Sequence, residues 1–329
     1  MSRLGIAGID PEFEARIIAD MEAVEALLRS HIVGKYPFVI ETSRHLVEAG
    51  GKRLRPLLVL LAAQFGDPNR KEVIDAAVVC ELTHLATLYH DDVMDEAPKR
   101  RGVESANNRW GNSVAILTGD YLFAKTSLLL ADLGPEAVRL HAITFERLVI
   151  GQITETQGST DGKSMLEHYL SVVADKTGSL IAASANYGAL LSGASAAARD
   201  TLTEYAEKIG IVFQLADDII DIASTSFESG KTPGTDLREG VLTLVTLFVM
   251  ESTDPADDEL KKILSAPITD EAVVASTLER LRSHSALLQS RELVERYAAE
   301  ARDLLSTLPA GPAREALIEL SNTVITRTA

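Results

Sequence analysis

Three carboxylates close an apolar stretch of the chain, and their spacing could hold a metal ion. Asp91 and Asp95 are four residues apart, so a helix would place both on one face, with Asp92 beside them. His84 lies two helical turns before Asp91. Like charges this close repel each other unless a cation neutralises them, and Mg²⁺ prefers such oxygen ligands. The alternative for one isolated cluster is an acidic helix end that faces water.

The same spacing recurs at Asp217, Asp218 and Asp221, again behind an apolar run. Leu215 and Ile219 flank these carboxylates, so exposure of the whole helix end to water is a poor explanation. Two such clusters could bind several Mg²⁺ ions around one polyanion. A diphosphate is the natural candidate for that polyanion.

The elements that carry these clusters are predicted to be helices, because apolar residues recur at three- and four-residue steps and strand-like alternation is absent. The predicted helices span residues 10–31, 36–49, 56–65, 71–95, 112–132, 135–157, 164–192, 196–224, 241–251, 256–265, 270–285, 289–307 and 312–326. Gly178 could kink one of them, and the charge-poor stretch Ile116–Leu133 is expected to be surrounded by other helices. With 329 residues, 46% of them hydrophobic, and no linker or repeat, the chain is expected to form one all-α domain, 1–329, a large helical bundle.

Charge and cysteine content limit the possible partners and compartment. A net charge of −16 argues against nucleic acid and anionic membrane surfaces as general partners. The single Cys80 excludes an intrachain disulfide and fits a reducing cytosol. Charges scattered through Met1–Asp20 predict that this segment is not a signal peptide, and the apolar stretches Pro56–Phe65 and Gly178–Ser195 are expected to be too short or too polar to span a bilayer. We therefore expect a cytoplasmic protein without stable membrane insertion.

Four basic segments could meet an anionic substrate that the overall charge would repel. Gly50–Pro56 combines paired glycines with cations, so a phosphate could approach the backbone closely. Lys99–Gly102 follows the first aspartate cluster, and Lys176 lies in an apolar helix where it must reach water or an anion. The loop Phe227–Gly240, with Lys231, predicts a mobile flap. Each segment could instead be a solvated turn, a locally ion-paired loop or an inert connection.

Together these segments resemble the trans-isoprenyl diphosphate synthases of the polyprenyl synthetase family, long-chain bacterial type. The two aspartate clusters match the family's two aspartate-rich motifs. The other family blocks are matched, in family order, by Gly51–Pro56, Arg100–Gly102, Asp175–Gly178 and Gly230–Asp236. The resemblance implies the isoprenoid-synthase type I fold, with a central cavity in the helical bundle. Val245 stands where the family often has a proline, which affects the start of one helix and no implied ligand.

The resemblance also assigns roles to individual residues. It implies three Mg²⁺ ions bound by Asp91, Asp95 and Asp217, with Asp92, Asp218 and Asp221 acting through water or as hydrogen-bonded support. It assigns isopentenyl diphosphate to Lys52, Arg55, His84 and Arg101. It assigns the allylic diphosphate to Arg100, Lys176, Thr177, Gln214 and Lys231. Among these residues, Asp91, Asp95, Arg100, Lys176 and Asp217 are expected to carry the catalysis.

The predicted function is a Mg²⁺-dependent, head-to-tail trans condensation of isopentenyl diphosphate with an allylic diphosphate by a homodimer. The product is expected to be long, about C30–C50, for a quinone side chain. By the resemblance, the residue five places before the first aspartate cluster can close the hydrocarbon cavity, and Ala86 is too small to do so. The alternatives are a short-chain farnesyl or geranylgeranyl diphosphate synthase, a class I terpene cyclase and a non-catalytic partner subunit.

Overall fold

The computed structural model describes residues 4–6, 8–159, 162–224 and 233–326. Within these ranges the chain is helical almost throughout, which confirms the all-α prediction. The elements are α1 Pro11–His31, α2 Pro37–Glu48, α3 Leu54–Ala63, α4 Lys71–Met94, β1 Lys99–Arg100, β2 Val103–Glu104, α5 Ala106–Trp110, α6 Asn112–Leu133, α7 Pro135–Gln157, α8 Met165–Val173, α9 Ser179–Ser192, α10 Ala196–Ala223, α11 Thr235–Glu239, α12 Leu244–Glu251, α13 Asp258–Leu264, α14 Glu271–Ser283, α15 Ser285–Leu305 and α16 Pro312–Thr326.

The chain divides into two compact units, and each is described by itself. Unit 1 comprises Met1–Phe145, Leu180–Ala206 and Leu308–Ala316. Unit 2 comprises Glu146–Ser179, Glu207–Thr307 and Leu317–Ala329. The assignment of residues 1–329 to one domain stays a prediction.

Unit 1 is organised around α4, which carries the first aspartate cluster at its end. Helix α6 lies along α4, and Gly119 allows the close approach because a Cβ there would collide with the His90 ring. The side chains of α3 from Pro56 to Ala63 are all buried, as their apolar sequence requires. The end of α4 is therefore fixed from several sides.

Helix α6 differs from its prediction, because other helices surround it only in part. Leu117 is 65% exposed and Leu128 is 66% exposed, and Ile116 is exposed beside them. The helix is also long and apolar enough to cross a membrane by length and composition, with 39% of its most apolar window buried. The low charge content of Ile116–Leu133 did not show whether this helix is buried on all sides or leaves an apolar face exposed to solvent.

Unit 2 has its core around the second half of α10. Leu215, Ala216, Ile219 and Ile222 are fully buried there among side chains of α12, α14 and α15. The second aspartate cluster therefore projects from a helix that packing holds in place. This result agrees with the apolar flanks noted in the sequence.

Two segments of unit 2 differ from the sequence prediction. The predicted helix 164–192 is interrupted by a π-helical turn, Ala174–Gly178, so the expected irregularity near Gly178 is a whole turn that contains Lys176. Part of the predicted flap, Thr235–Glu239, forms the short helix α11. Lys231 lies outside the described residues.

Candidate active site

The first aspartate cluster lies at the C-terminal end of α4 in unit 1. Asp95 follows the last helical residue but keeps the helical repeat, since its backbone N–H donates to Asp91 O at 2.8 Å. Asp91 is half-buried and Asp95 is exposed, so the two carboxylates predicted to share a face are accessible from outside the core. Their oxygens are the hard donors that Mg²⁺ selects, and water and phosphate oxygens complete such a shell.

Asp92 is a structural member of this cluster. Its side chain is 0% exposed, and its Oδ1 accepts a hydrogen bond from Arg100 Nε at 2.6 Å. Burial raises the pKa of Asp92, and the Arg100 guanidinium opposes that shift. The two-stranded β1–β2 hairpin presents Arg100 to this carboxylate. Asp92 Oδ2 is buried without a hydrogen-bond partner among the described residues, which leaves one oxygen available for a water or cation.

A buried glutamate that the sequence analysis missed organises the basic residues of unit 1. Glu81 is 1% exposed and lies three residues before His84 on α4. Its Oε1 accepts a hydrogen bond from Arg53 Nη1 at 2.7 Å and lies 3.7 Å from Arg101 Nη2. Arg53 also pairs with Glu25. A glutamate inside an apolar helix was the available signal, because such a group is buried only with a cationic partner.

The same two arginines bind carbonyls at the C-terminal end of α2. Arg53 Nη2 donates to Val47 O at 3.1 Å, and Arg101 Nη1 donates to Leu46 O at 2.9 Å. Both arginines have backbone φ in the left-handed region, 50° and 54°, which is uncommon for a residue with a side chain. Helix carbonyls at a C-terminus attract cations. These contacts within the protein fix the positions of both guanidinium groups.

Arg55 and His84 form the part of unit 1 best suited to receive an anion. Arg55 Nε is buried and has no hydrogen-bond partner among the described residues. Burial lowers the pKa of Arg55 to about 10, so it remains a cation at neutral pH. Burial and then Arg55, Arg101 and Arg100 lower the pKa of His84 well below its usual value. A cation with an unsatisfied donor beside a neutral imidazole matches the hydrogen-bonding needs of a diphosphate.

Asp218, in the second aspartate cluster of unit 2, accepts hydrogen bonds from neutral donors. Asp218 is buried and accepts hydrogen bonds from the Tyr169 hydroxyl, from Gln214 Nε2 at 3.1 Å and from Leu244 N at 3.2 Å. Burial raises the pKa of Asp218 to about 6. Gln214 shares the face of Asp218, as its spacing predicted. Tyr169 was missed, because 49 residues separate it from Asp218.

Asp221 fixes the start of α11. Its Oδ1 accepts from Thr235 N and its Oδ2 from Asp236 N, each at 3.2 Å. Asp236 adds a further carboxylate, which the sequence analysis placed in a family block but gave no role. Burial, then Asp221 and Asp218, raise the pKa of Asp236 to about 7. Asp217 is half-buried on α10, the helix that also carries Asp221. The surroundings of these carboxylates therefore favour the binding of a cation or a proton.

Lys176 lies in the π turn of unit 2, next to Thr177. Its Nζ pairs with Glu155 Oε2 of α7 at 2.5 Å. Both Lys176 and Thr177 are half-buried, as expected for a lysine that must reach from an apolar helix to a polar partner. Glu155 was not predicted, since its own sequence surroundings resemble any solvated helix end.

The predicted residues thus group by unit. Unit 1 contains Lys52, Arg55, His84, Asp91, Asp92, Asp95, Arg100 and Arg101, and unit 2 contains Lys176, Thr177, Gln214, Asp217, Asp218 and Asp221. In the described part of the chain, no three His, Cys, Asp or Glu side chains converge into a complete metal site. The carboxylates nevertheless fit Mg²⁺, because substrate oxygens and water normally supply much of its coordination.

Comparisons with known proteins agree with this chemistry. The sequence profile of polyprenyl synthetase matches residues 37–281. Nonaprenyl diphosphate synthase of Mycobacterium tuberculosis is 45% identical over 326 residues, which cover 98% of this chain and 97% of that protein. Dimethylallyltranstransferase of the same organism is 40% identical, over 94% of this chain and 95% of that protein. The crystal structure of geranylgeranyl pyrophosphate synthase from Corynebacterium glutamicum, complexed with calcium and isoprenyl diphosphate, is 44% identical, with a TM-score of 0.87 over 97% of this chain and 98% of that one.

Proposed function

This chain belongs to the polyprenyl synthetase family, and we propose from that premise that it adds isopentenyl diphosphate to an allylic diphosphate, head to tail and with trans double bonds. It is a prenyltransferase with the all-α isoprenoid-synthase fold. Mg²⁺ as its metal, the two diphosphate substrates and the roles of the individual residues belong to the proposal.

The observation that carries the proposal is the combination of Arg55 and His84, since the Arg55 charge lies close enough to lower the pKa of His84. In a chain of net charge −16, a half-buried arginine with a buried, unsatisfied Nε lies near an imidazole whose pKa is lowered well below its usual value. An anion that accepts hydrogen bonds satisfies Arg55 Nε, and a neutral His84 can donate to the same anion. We assign this place to the diphosphate of isopentenyl diphosphate, with Lys52 and Arg101 at its edge.

The remaining residues act on the allylic diphosphate. Arg100, Lys176 and Lys231 bind its oxygens and stabilise the charge that develops as it leaves, while Thr177 and Gln214 orient it. Asp91, Asp95 and Asp217 would hold Mg²⁺, which would add positive charge next to the leaving group. The allylic carbon–oxygen bond breaks, the isopentenyl double bond forms the new carbon–carbon bond, and a proton leaves. The departing diphosphate takes that proton.

The product is proposed to be long, about C30–C50, because Ala86 leaves the hydrocarbon path open. Ala86 is fully buried on α4, where its carbonyl oxygen faces Gly119 of α6. The similarity to a nonaprenyl diphosphate synthase supports this length, and a quinone side chain is the proposed end use. A short-chain product is the second candidate, since a dimethylallyltranstransferase and a geranylgeranyl pyrophosphate synthase are also similar.

One assay tests the activity and separates these lengths. The purified protein is incubated with Mg²⁺, isopentenyl diphosphate and a farnesyl or geranylgeranyl starter, and the dephosphorylated products are separated by chromatography. We expect Mg²⁺-dependent products in the range of about C30–C50. Products that stop at C15 or C20 would select the short-chain alternative, a cyclised hydrocarbon would select a terpene cyclase, and no turnover would favour a non-catalytic subunit.

We further propose that the protein works in the cytoplasm as a homodimer, without stable membrane insertion. The exposed apolar residues of α6 and of the first part of α7 form a candidate dimer surface in unit 1: Ile116, Leu117, Leu128, Val138 and Ile143. The two helices contact each other through Phe123 and Phe145. Light scattering should give twice the chain mass for the wild type, and Leu117→Glu with Leu128→Glu should shift it towards the monomer.

A further inference from the structure

One face of α7 meets the turn that carries Lys176. Arg147, Gly151 and Glu155 are spaced by four residues, so they lie in a row on the helix surface. All three approach the π turn Ala174–Gly178, within unit 2. We call Arg147, Gly151 and Glu155 the α7 row. None of the three was singled out in the sequence analysis.

Arg147 connects the π turn to a second helix. Its Nε donates to Asp175 Oδ1 at 2.9 Å, and its Nη2 donates to Glu207 Oε1 of α10 at 2.7 Å. A guanidinium can hold two carboxylates at a fixed angle because its donors are planar and rigid, which a lysine cannot do. Arg147 therefore fixes the residue immediately before Lys176 against α7 and α10.

Gly151 allows the backbone of the π turn to touch α7. A Cβ at this position would lie 2.6 Å from Lys176 N and 3.0 Å from both Asp175 C and Lys176 Cα. Those atoms are backbone and cannot rotate away as a side chain could. The absence of a side chain at Gly151 is thus a condition for the present position of Lys176.

The π turn matters because it changes the direction of every side chain that follows it. A π turn contains one more residue than an α-helical turn, and one residue of an α-helix corresponds to about 100° of rotation. Lys176 and Thr177 lie inside the turn, so their directions depend on it. Glu155, at the end of the row, pairs with Lys176 Nζ at 2.5 Å in the direction that the turn imposes.

We infer that the α7 row is the surface that shapes the π turn, and that Arg147 and Gly151 are positioning residues for Lys176. Neither acts on the substrate itself. They place the ammonium group where it can bind the allylic diphosphate, and this inference rests on the role proposed for Lys176. Loss of either residue should weaken the binding of the allylic diphosphate more than that of isopentenyl diphosphate.

The test combines pyrophosphate binding with kinetics in a double-mutant cycle. Calorimetry measures the Kd for pyrophosphate at fixed Mg²⁺, and initial rates give kcat and a KM for each substrate. The variants are Arg147→Met, Lys176→Met and the double variant. Arg302→Met is the matched control, because Arg302 also joins two partners in unit 2, Glu295 at 2.6 Å and Asn322 at 3.3 Å.

We expect Arg147→Met to raise the pyrophosphate Kd and the allylic KM by about 10- to 100-fold, by analogy with the loss of a hydrogen bond that supports a metal ligand. The KM for isopentenyl diphosphate should change by less than about twofold, and Arg302→Met should leave all constants near wild type. Because Arg147 acts through Lys176, the double variant should lose little more than Lys176→Met alone. Arg147→Lys should recover only part of the affinity.

The outcomes separate this inference from the proposed function. An unchanged pyrophosphate Kd in Lys176→Met would remove the proposed role of Lys176. A weakened Lys176→Met with a normal Arg147→Met, or fully additive losses in the double variant, would overturn the positioning role alone. Should Arg147→Met not fold, Gly151→Ala decides the same question. The added methyl group must displace the π turn, so an unchanged allylic KM in a folded Gly151→Ala would equally overturn the inference.

Discussion

The charged clusters of the two units differ in the contacts that surround them. In unit 1, the basic cluster of Arg53, Arg55, Arg100 and Arg101 contains its own counter-charges, since Glu81 and Asp92 are buried within it. In unit 2, the acidic cluster of Asp217, Asp218, Asp221 and Asp236 brings carboxylates close enough for Asp221 and Asp218 to raise the pKa of Asp236, and Asp218 accepts hydrogen bonds from a tyrosine hydroxyl, an amide and a backbone N–H. The basic cluster keeps its arrangement by internal ion pairs. In the acidic cluster the carboxylates Asp236, Asp221 and Asp218 repel one another, and we expect a bound cation to relieve that repulsion.

The largest expected effect comes from removing one proposed metal ligand in each unit. Asp91→Ala and Asp217→Ala should each lower kcat/KM by at least about 10³-fold, or about 4 kcal/mol of transition-state stabilisation. Neither side chain is part of the core, so circular dichroism should show an intact helical fold. Asp303→Ala, on the exposed face of α15, is the control. Near-normal turnover of both variants at saturating Mg²⁺ would contradict the metal assignment.

The next effect is on stability and tests the internal balance of the basic cluster. Glu81→Ala removes a buried carboxylate from Arg53, which keeps its ion pair with Glu25, and from Arg101, and it should lower the free energy of unfolding by about 3 kcal/mol. Glu41→Ala, which removes an exposed partner from Arg109 at 3.3 Å, should cost less than about 1 kcal/mol. Urea denaturation measures both. Equal, small losses would show that Glu81 does not balance the cluster.

The contacts of Glu81 also show which part of the site could not be predicted from the sequence. The spacing of Asp91 with Asp95, and of Asp217 with Asp221, appears in the sequence because the helical repeat alone puts them together. Glu81 and Arg53 are joined across 28 residues, and Tyr169 and Asp218 across 49, so only the folded chain brings them into contact. Local patterns cannot reveal such pairs.

Irregular backbone was the other limit. The helical periodicity of 164–192 predicted a helix with a possible kink at Gly178, whereas the observed π turn depends on Gly151 and Arg147, which belong to a different helix. The direction of the Lys176 side chain therefore could not be predicted from residues 164–192 alone. The exposed face of α6 was missed for a related reason, because an apolar helix looks the same whether its cover comes from its own chain or from another.

The third prediction is that the two clusters respond to pH with opposite sign. Burial raises the pKa of Asp236 to about 7 and that of Asp218 to about 6. A raised folded-state pKa contributes stability that is present below the unfolded value, near 4, and is lost as pH rises through the folded value. The free energy of unfolding of the metal-free protein should therefore fall between pH 4 and pH 7 on this account.

His84, whose pKa the arginines of the basic cluster help to lower, should act in the reverse direction. Its pKa is lowered well below the usual value, so its contribution is present above the unfolded value, near 6.5, and is lost as pH falls. Urea denaturation in EDTA across this range separates the two. Asp236→Asn should reduce the loss towards neutral pH, and His84→Gln should reduce the loss towards acid. The comparison fails if both variants change the same side of the profile.

The smallest expected effect on rate comes from a position near both His84 and Asp91 that carries no charge. Ala86→Phe puts an aromatic ring where the hydrocarbon path is proposed to pass, so chain growth should stop at C15 or C20. The first condensation should keep its rate within about tenfold, because the diphosphate contacts of α4 are untouched. Ala86 is fully buried, so the larger side chain should also cost about 1–3 kcal/mol of stability.

Ala86→Ser is the control, since it adds one oxygen and should preserve the product length. Chromatography of the products measures the change. A folded, active Ala86→Phe that still makes long products would place the end of the hydrocarbon path elsewhere in the protein.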